Sequence, residues 1–322
     1  MMPASASTAG LLVRAEIRHH TIAEVEILSA RPVSLVSHFV GRPVMVAGAA
    51  VAKLHAVCGC SHAAAVFFAA HSARAEQVSW SERLTWVQRL GGERILEHLR
   101  VLATNEQDGE SLMRLRQGIA AASGIMRDGL PTSERTGAIR RALDLFGYPA
   151  RDWLNADDRL SPADDALVVA GLATRADFPR HPVLPGRSPE TGAAARQGWT
   201  AAMPGATHAA RLIEIADALD RLEDGDSDLL SAGPLEPGSG YAAVESPRGR
   251  LVYRLELDRA GNLGSAAVVA PTEWNFHVRG PFVRSLQNLR VSEVPAHDIA
   301  ARAADFAPCV GVTIEIREAV DA

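Results

Sequence analysis

The chain has 322 residues, 47% of them hydrophobic, and a net charge of -5 from 38 acidic and 33 basic side chains. That balance, with a pI near 6.1, argues against a basic surface for nucleic-acid phosphates, and no stretch reaches the roughly 20 consecutive apolar residues of a membrane-spanning helix. Three cysteines, an odd number in a long chain, do not make a secreted disulfide framework. Met1 to Gly10 lacks the charged start and apolar stretch of a secretory signal, so a cytoplasmic protein is expected. Aromatic residues make up only 5%, which leaves small aliphatic side chains to fill the core, as they do between closely packed helices. The expected fold class is α+β, mainly helical, in a single domain over 1–322 with small antiparallel β elements near both ends.

The first element, over 11–42, is a β unit. In LLVRAEIRHHTIAEVEIL the second half alternates, Ile22, Glu24 and Glu26 against Val25 and Ile27, predicting a short antiparallel pair that turns at His19 and His20. A helical core follows over 43–224. Pro43 suits a first helical turn, VMVAGAAVAKLHAV runs from it into Cys58, and a second apolar helix, HAAAVFFAAHSARAE, leaves just after Cys60. From Trp80 to Thr104 the spacing places Leu84, Val87, Leu96, Leu99 and Val101 near one helical face, with Gly91 and Gly92 as a point of bending. Further helices are predicted at 110–126, 132–146, 162–174 and 205–224. The run GDSDLLSAGPLEPGSG, 225–240, predicts a surface loop. The remainder, 241–322, holds a hairpin turning through 258–262 and a last strand at 310–316 beside the third cysteine.

The thiols fall at two places, Cys58 and Cys60 in VCGCSHAAA (57–65) and Cys309 in DFAPCVGV (305–312). In a reducing compartment clustered thiols point to metal or redox chemistry, whereas a lone cysteine on an apolar helix is more often a small core residue. Before the late cysteine stands VESPRGRLVYRLELDRAGNLGSAAVVAPTEWN (244–275). Taken alone, Arg248 is a guanidinium that would pair with a carboxylate such as Glu245, and His62 reads as a core histidine or a support for a ligand. His19 and His20 read as exposed, and Asp224 to Asp228 as a solvated loop. GRSPETG and PLEPGSG lack the strand-to-helix context and the lysine of a phosphate loop, and Ser61 is not on a nucleophile elbow.

Together these segments resemble the nickel-iron hydrogenase large subunit, whose pattern has an early Arg-x-Cys-Gly-x-Cys-x-x-x-His, a middle Glu-Ala-Pro-Arg-Gly, a Pro-Thr-x-Trp-Asn and a late Asp-Pro-Cys-x-x-Cys-x-x-His. Glu245, Pro247, Arg248 and Gly249 match the second of these with Ser246 for alanine, and Pro271, Thr272, Trp274 and Asn275 match the third. GRSPETGAAARQG (186–198) is similar to the family's Gly-x-x-x-Glu-x-Gly-x-x-Ala-Arg, and is the only claim that Glu190 and Arg196 have. His277 and His297 carry no independent signal. The resemblance implies a central long-helix bundle of the large-subunit type with β elements at its ends.

It also implies that the enzyme's chemistry is missing. In the family four thiolates from two Cys-x-x-Cys pairs hold nickel, and one thiolate of each pair bridges to an iron bearing cyanide and carbon monoxide. Soft sulfur suits both metals. Here the early pair is shortened to Cys-x-Cys, Val312 stands where the late partner cysteine belongs, and Glu315 where the late histidine belongs. Three thiols cannot supply four ligands, so no intact nickel site and no catalysis are expected. The resemblance assigns Arg248 and Thr272 to the cyanide nitrogens, which a guanidinium and a hydroxyl suit as donors, and Pro271 to the carbon monoxide side. Cys309 with Cys58 or Cys60 would hold iron. The chain is thus similar to accessory proteins of the HupK/HoxV type. They imply a hydrogenase assembly scaffold that transiently carries an Fe(CN)2(CO) fragment. Partners would be HypC-type maturation chaperones, the iron-fragment assembly complex and a hydrogenase large or small subunit, with no nucleic acid and no membrane insertion. A metal-free mimic that docks such partners is the second reading, and a residual hydrogenase or redox enzyme the third.

Overall fold

The computed structural model describes residues 10–32, 35–104, 106–147, 149, 158–222 and 227–318. Alternation at the start of the chain yields strands β1 (Leu11–Arg18) and β2 (Thr21–Ser29), paired antiparallel. They turn through His19 and His20, both with positive φ. The register shifts between Glu16 and Ile17, leaving Ala23 as an extra residue that returns Ile22 to the buried face with Leu11, Val13 and Ala15. Simple alternation would have put Ile22 on the side of Glu24.

Five helices occupy the first half of the core: α1 (Val44–Leu54), α2 (Gly59–Ala73), α3 (Trp80–Ala103), α4 (Gly109–Asp128) and α5 (Ser133–Leu143). Ser79, Asp108 and Thr132 cap the last three by accepting hydrogen bonds from backbone N–H groups in their first turns. Val87, Leu96 and Leu99 of α3 are buried, but Val101 is 39% exposed, off the predicted face. No break interrupts α3 at Gly91 and Gly92. Gly92 instead permits close packing, because a Cβ there would lie 2.5 Å from the Met126 backbone nitrogen of α4. The core continues with α6 (Asp165–Thr174), α7 (Ala193–Arg196) and α8 (Ala206–Arg221). Side chains of α3, α4, α5 and α8, among them Ile95, Leu115, Ile139 and Ile215, form one buried aliphatic cluster. Residues 223–226, where the predicted α8 ends and the acidic loop begins, lie outside the described residues.

The predicted loop over 225–240 is corrected within the described residues. It contains β3 (Leu230–Pro234), which pairs with β4 (Ser239–Ser246), followed by β5 (Gly249–Leu257) and β6 (Leu263–Val269) in an antiparallel sheet of order β3-β4-β5-β6. The short LSAGP strand has no alternation of its own to betray it, and pairing with β4 supplies its order. The turn at 258–262 joins β5 to β6 as the sequence predicts. Helix α2 packs across β4 and β5 and shares with them the cluster holding Val66, Phe68, Val244 and Leu251.

Three short helices follow, α9 (Pro271–Asn275), α10 (Pro281–Leu286) and α11 (Pro295–Asp305), each with proline in its first turn. The final strand, β7 (Val312–Glu318), departs from the expected antiparallel arrangement. It pairs parallel to β1, giving the order β2-β1-β7. A parallel pair needs a long crossover, and here nearly the whole chain is that crossover. The consequence is that the segment ending in Cys309 is fixed beside the start of the chain. Among the described residues no helix is long and apolar enough to cross a membrane.

Candidate functional site

Three sequence segments interlock to build the site. Pro247 and Arg248 form the two-residue turn between β4 and β5, closed by the facing pair Ser246 and Gly249. Ser246 Oγ donates to the Gly249 carbonyl at 2.7 Å and accepts from Arg248 N at 3.3 Å. Gly249 has φ +130°, and a Cβ on it would meet Thr191 Oγ1 at 2.5 Å, so both conformation and space demand glycine. Thr191 Oγ1 accepts from Arg250 N, and Asn275 of α9 both accepts from Thr191 N and donates to Thr191 O, at 3.0 and 2.8 Å. Trp274, fully buried, packs edge-on against Phe178. The turn bearing Arg248 and the helix bearing Thr272 are thereby locked to one another.

Beneath the turn lies a chain of buried charges. Arg250, fully buried, donates to Asp165 and to Glu245 at 2.6 and 2.7 Å, and Glu245 also accepts from Arg196 at 2.9 Å. Arg196 continues to Glu214, which accepts from His98 Nε2 at 2.7 Å. Arg196 and Arg94 hold the Glu214 carboxyl well below its usual range despite its burial. His98 is pushed down to about 4, by burial first and by the nearby Arg211 and Arg196, against the pull of Glu214. It therefore donates as a neutral ring.

The turn and α9 face a small cavity of about 30 Å³, lined by Cys58, Cys309, Arg248, Pro271 and Thr272 together with Arg31, Glu273, His55, His62 and Tyr253. At about 10–15 Å³ for each water-sized group, it takes two or three such groups as the side chains stand here. Cys58 stands at the N-cap of α2. Burial, then the charges of Glu93 and Cys309, push its thiol up, while Arg248 draws it down. Cys309 Sγ lies 3.3 Å from Thr272 Oγ1 and 3.1 Å from Arg31 Nη2. Arg31 Nη1 donates to Glu273 Oε1 at 2.6 Å, a pair almost wholly buried. Arg248 Nη1 reaches the Val57 carbonyl at 3.3 Å and Glu97 at 3.5 Å, and its buried Nε has no hydrogen-bond partner. His62 and Tyr253 share a 2.5 Å hydrogen bond, and the His62 ring stacks on His55 at 3.6 Å. Burial holds both histidines below their ordinary value and the Tyr253 phenol above its own.

Cys60 lies elsewhere. It belongs to the aliphatic cluster between α2 and the four-stranded sheet, and burial pushes its thiol up. Its N–H donates to Glu93 of α3 at 2.6 Å, and Ser61 donates to the same carboxylate from both its N–H and its hydroxyl. Glu93 thus caps α2 from a neighbouring helix, with burial raising it to about 7 against those bonds. Along the first turn of α2, Cys58 and His62 are four residues apart and both line the cavity, whereas Cys60 is turned from it. Among the described residues no three His, Cys, Asp or Glu side chains converge as a metal-ligand set.

Comparison with known proteins gives this geometry its context. No family model matches the chain. It is 33% identical to the hydrogenase expression/formation protein HupK of Rhizobium leguminosarum over 92% of this chain and 94% of that one. It is 32% identical to HupK of Bradyrhizobium diazoefficiens over 93% of this chain and 94% of that one. The chain belongs to the HupK family of hydrogenase expression/formation proteins. Its fold is that of a chain of the Ni-Fe-Se hydrogenase from D. vulgaris Hildenborough, with a TM-score of 0.63 and 13% identity, covering 91% of this chain and 94% of that one. At that identity the likeness of this HupK-family chain to the hydrogenase is one of fold.

Of the predicted site residues, the HupK-family fold brings Cys58, Cys309, Arg248, Pro271 and Thr272 to one cavity and leaves Cys60 in the core. His62 does line the cavity, although it is bonded to Tyr253. His277 lies in a neighbouring surface depression of about 240 Å³, with Arg180 and His181. Sequence reasoning missed Arg31, Glu273 and Glu93. Glu273 occupies the variable position of Pro-Thr-x-Trp-Asn, and Arg31 follows a strand with nothing distinctive around it. Glu93 did leave a trace. With Arg94, Glu97 and His98 it puts four polar groups among the buried residues of α3, where polar side chains need partners from other elements.

Proposed function

We propose that this HupK-family chain is a hydrogenase maturation scaffold that carries a single iron bearing two cyanides and one carbon monoxide, held between Cys58 and Cys309. The observation that carries the reading is the meeting of two thiols from opposite ends of the chain with Arg248, Pro271 and Thr272 around one small, buried cavity. The donor set fits the cargo in chemistry, and the side chains that line the cavity must part to admit it, since the space as it stands takes roughly two or three water-sized groups. Thiolates are the ligands that soft, electron-rich metals prefer, and the unpartnered Nε of Arg248 and the Thr272 hydroxyl are donors for cyanide nitrogen. Both thiols must lose protons to bind, so loading releases protons and favours higher pH. Two thiols in place of four favour temporary holding over a permanent centre. The iron fragment would be received from HypC-type chaperones of the assembly complex and passed to a hydrogenase large subunit.

Infrared spectroscopy tests this. Chain isolated without air from cells expressing the maturation machinery should show cyanide and carbonyl stretches with about one iron per chain. Stoichiometric iron without those bands, or bands untouched by Cys309→Ala, would defeat the proposal. A docking role for the same chain has its own support in α1, whose Met45, Val46 and Leu54 are 50%, 54% and 55% exposed although the helix carries one charged residue, Lys53. If docking alone were the function, replacing all three cysteines with serine would leave co-purification with hydrogenase maturation partners intact and abolish nothing else.

A further inference from the structure

The cavity holds a second guanidinium that the motifs do not announce. Arg31, 8% exposed, points one nitrogen at Glu273 Oε1, 2.6 Å away, and the other at Cys309 Sγ, 3.1 Å away. Its backbone carbonyl accepts from Arg180, so the residue is held at both ends. Arg248 stands in the same cavity and draws on Cys58. Each thiol therefore has its own arginine, brought from a different part of the chain: Arg31 from beyond β2, Arg248 from the β4–β5 turn.

We propose that Arg31 is a binding residue for the iron fragment, the partner of Arg248 in a two-guanidinium cradle for an anionic metal complex. The inference rests on the carrier reading above and adds a residue to it. An iron(II) ion with two cyanides, one carbon monoxide and two thiolates has an overall double negative charge. In water, solvation would offset that charge. In this cavity two planar guanidiniums, each with one edge on a carboxylate, Glu273 or Glu97, can turn further N–H donors to the complex, and burial makes each donor bond stronger than it would be in water. Glu273 fixes the plane of Arg31 so that its second edge faces sulfur. A plain structural ion pair would need no sulfur at hydrogen-bond distance.

The test uses full-length chain loaded in cells and compares wild type with Arg31→Met and Arg31→Lys by infrared spectroscopy, iron content and thermal unfolding. Wild type should carry the cyanide and carbonyl bands. Arg31→Met should retain about tenfold less iron, the effect of losing a charge-assisted hydrogen bond. Arg31→Lys keeps the charge without the fork, so it should retain iron and shift the cyanide bands. Should Arg31→Met fail to fold, Arg31→Lys decides by its band positions. Wild-type iron content and band positions in both variants would overturn the role of Arg31 and leave the carrier reading standing. Bands missing from wild type itself would overturn both.

Discussion

The buried charge chain from Asp165 to His98 and the cavity between Cys58 and Cys309 both border the β4–β5 turn, yet they leave their polar groups differently satisfied. In the chain each ion faces a counter-ion: Arg250 answers Asp165 and Glu245, and Arg196 answers Glu245 and Glu214. Such a network holds shape, with its charges paired to one another. In the cavity Arg31 and Arg248 also have carboxylate partners, Glu273 and Glu97, but Arg248 keeps an unpartnered Nε, one nitrogen of the Arg31 fork ends on a sulfur, and two thiols line open space. The difference separates residues that place the turn from residues that can grip something beside it. Glu245 and Arg248 belong to one five-residue motif, and they fall on the two sides of that division.

The largest expected effect breaks the structural side. Arg250→Met leaves Asp165 and Glu245 buried without their partner, which costs about 3–5 kcal/mol. Denaturant unfolding should show a midpoint shift of that size, and iron retention should fall with the turn. On the binding side, Arg248→Ala and Cys309→Ala should each lower iron content about tenfold or more, with an unfolding midpoint shifted far less than in Arg250→Met. Metal analysis beside circular dichroism separates the two classes.

A smaller effect is in pH. His98 has a folded-state value of about 4 against an ordinary 6.5. Between those values the unfolded chain takes up a proton that the folded chain refuses, so stability is lost as pH falls from 6.5 towards 4. His98→Gln keeps a donor for Glu214 and should flatten that part of the acid slope, measured as unfolding free energy against pH. The smallest effect is Cys60→Ser. It places a hydroxyl in an aliphatic cluster at a cost of about 1–3 kcal/mol, and should leave iron content unchanged. A loss of iron equal to that of Cys309→Ala would blur the division between core thiol and cavity thiol.

Much of the site could be read from the chain because local motifs carry it. Glu245 to Gly249 is a turn that needs glycine at its end, and Pro271 to Asn275 is a short helix opening on proline, so both announce themselves over five residues. Residues whose roles depend on distant partners did not. Arg31 acquires meaning only when β7 pairs with β1 and brings Cys309 within 3.1 Å. That parallel pairing links strands about as far apart as the chain allows, and nothing in VTIEIRE distinguishes it from an antiparallel edge. The bulge at Ala23 and strand β3 escaped for a related reason, since each is fixed by its neighbour's register. Cys60 was the misleading residue. Its closeness to Cys58 suggests a ligand pair, but the helical phase of α2 turns it into the core.

X-ray absorption at the iron edge of the loaded chain asks most directly whether one metal is gripped by one thiol from each end of the molecule. The account predicts two sulfur neighbours beside the short carbon shell, one of them lost in Cys58→Ser, one in Cys309→Ser and none in Cys60→Ser. Three sulfur neighbours, or a shell that loses sulfur when Cys60 is replaced, would contradict it.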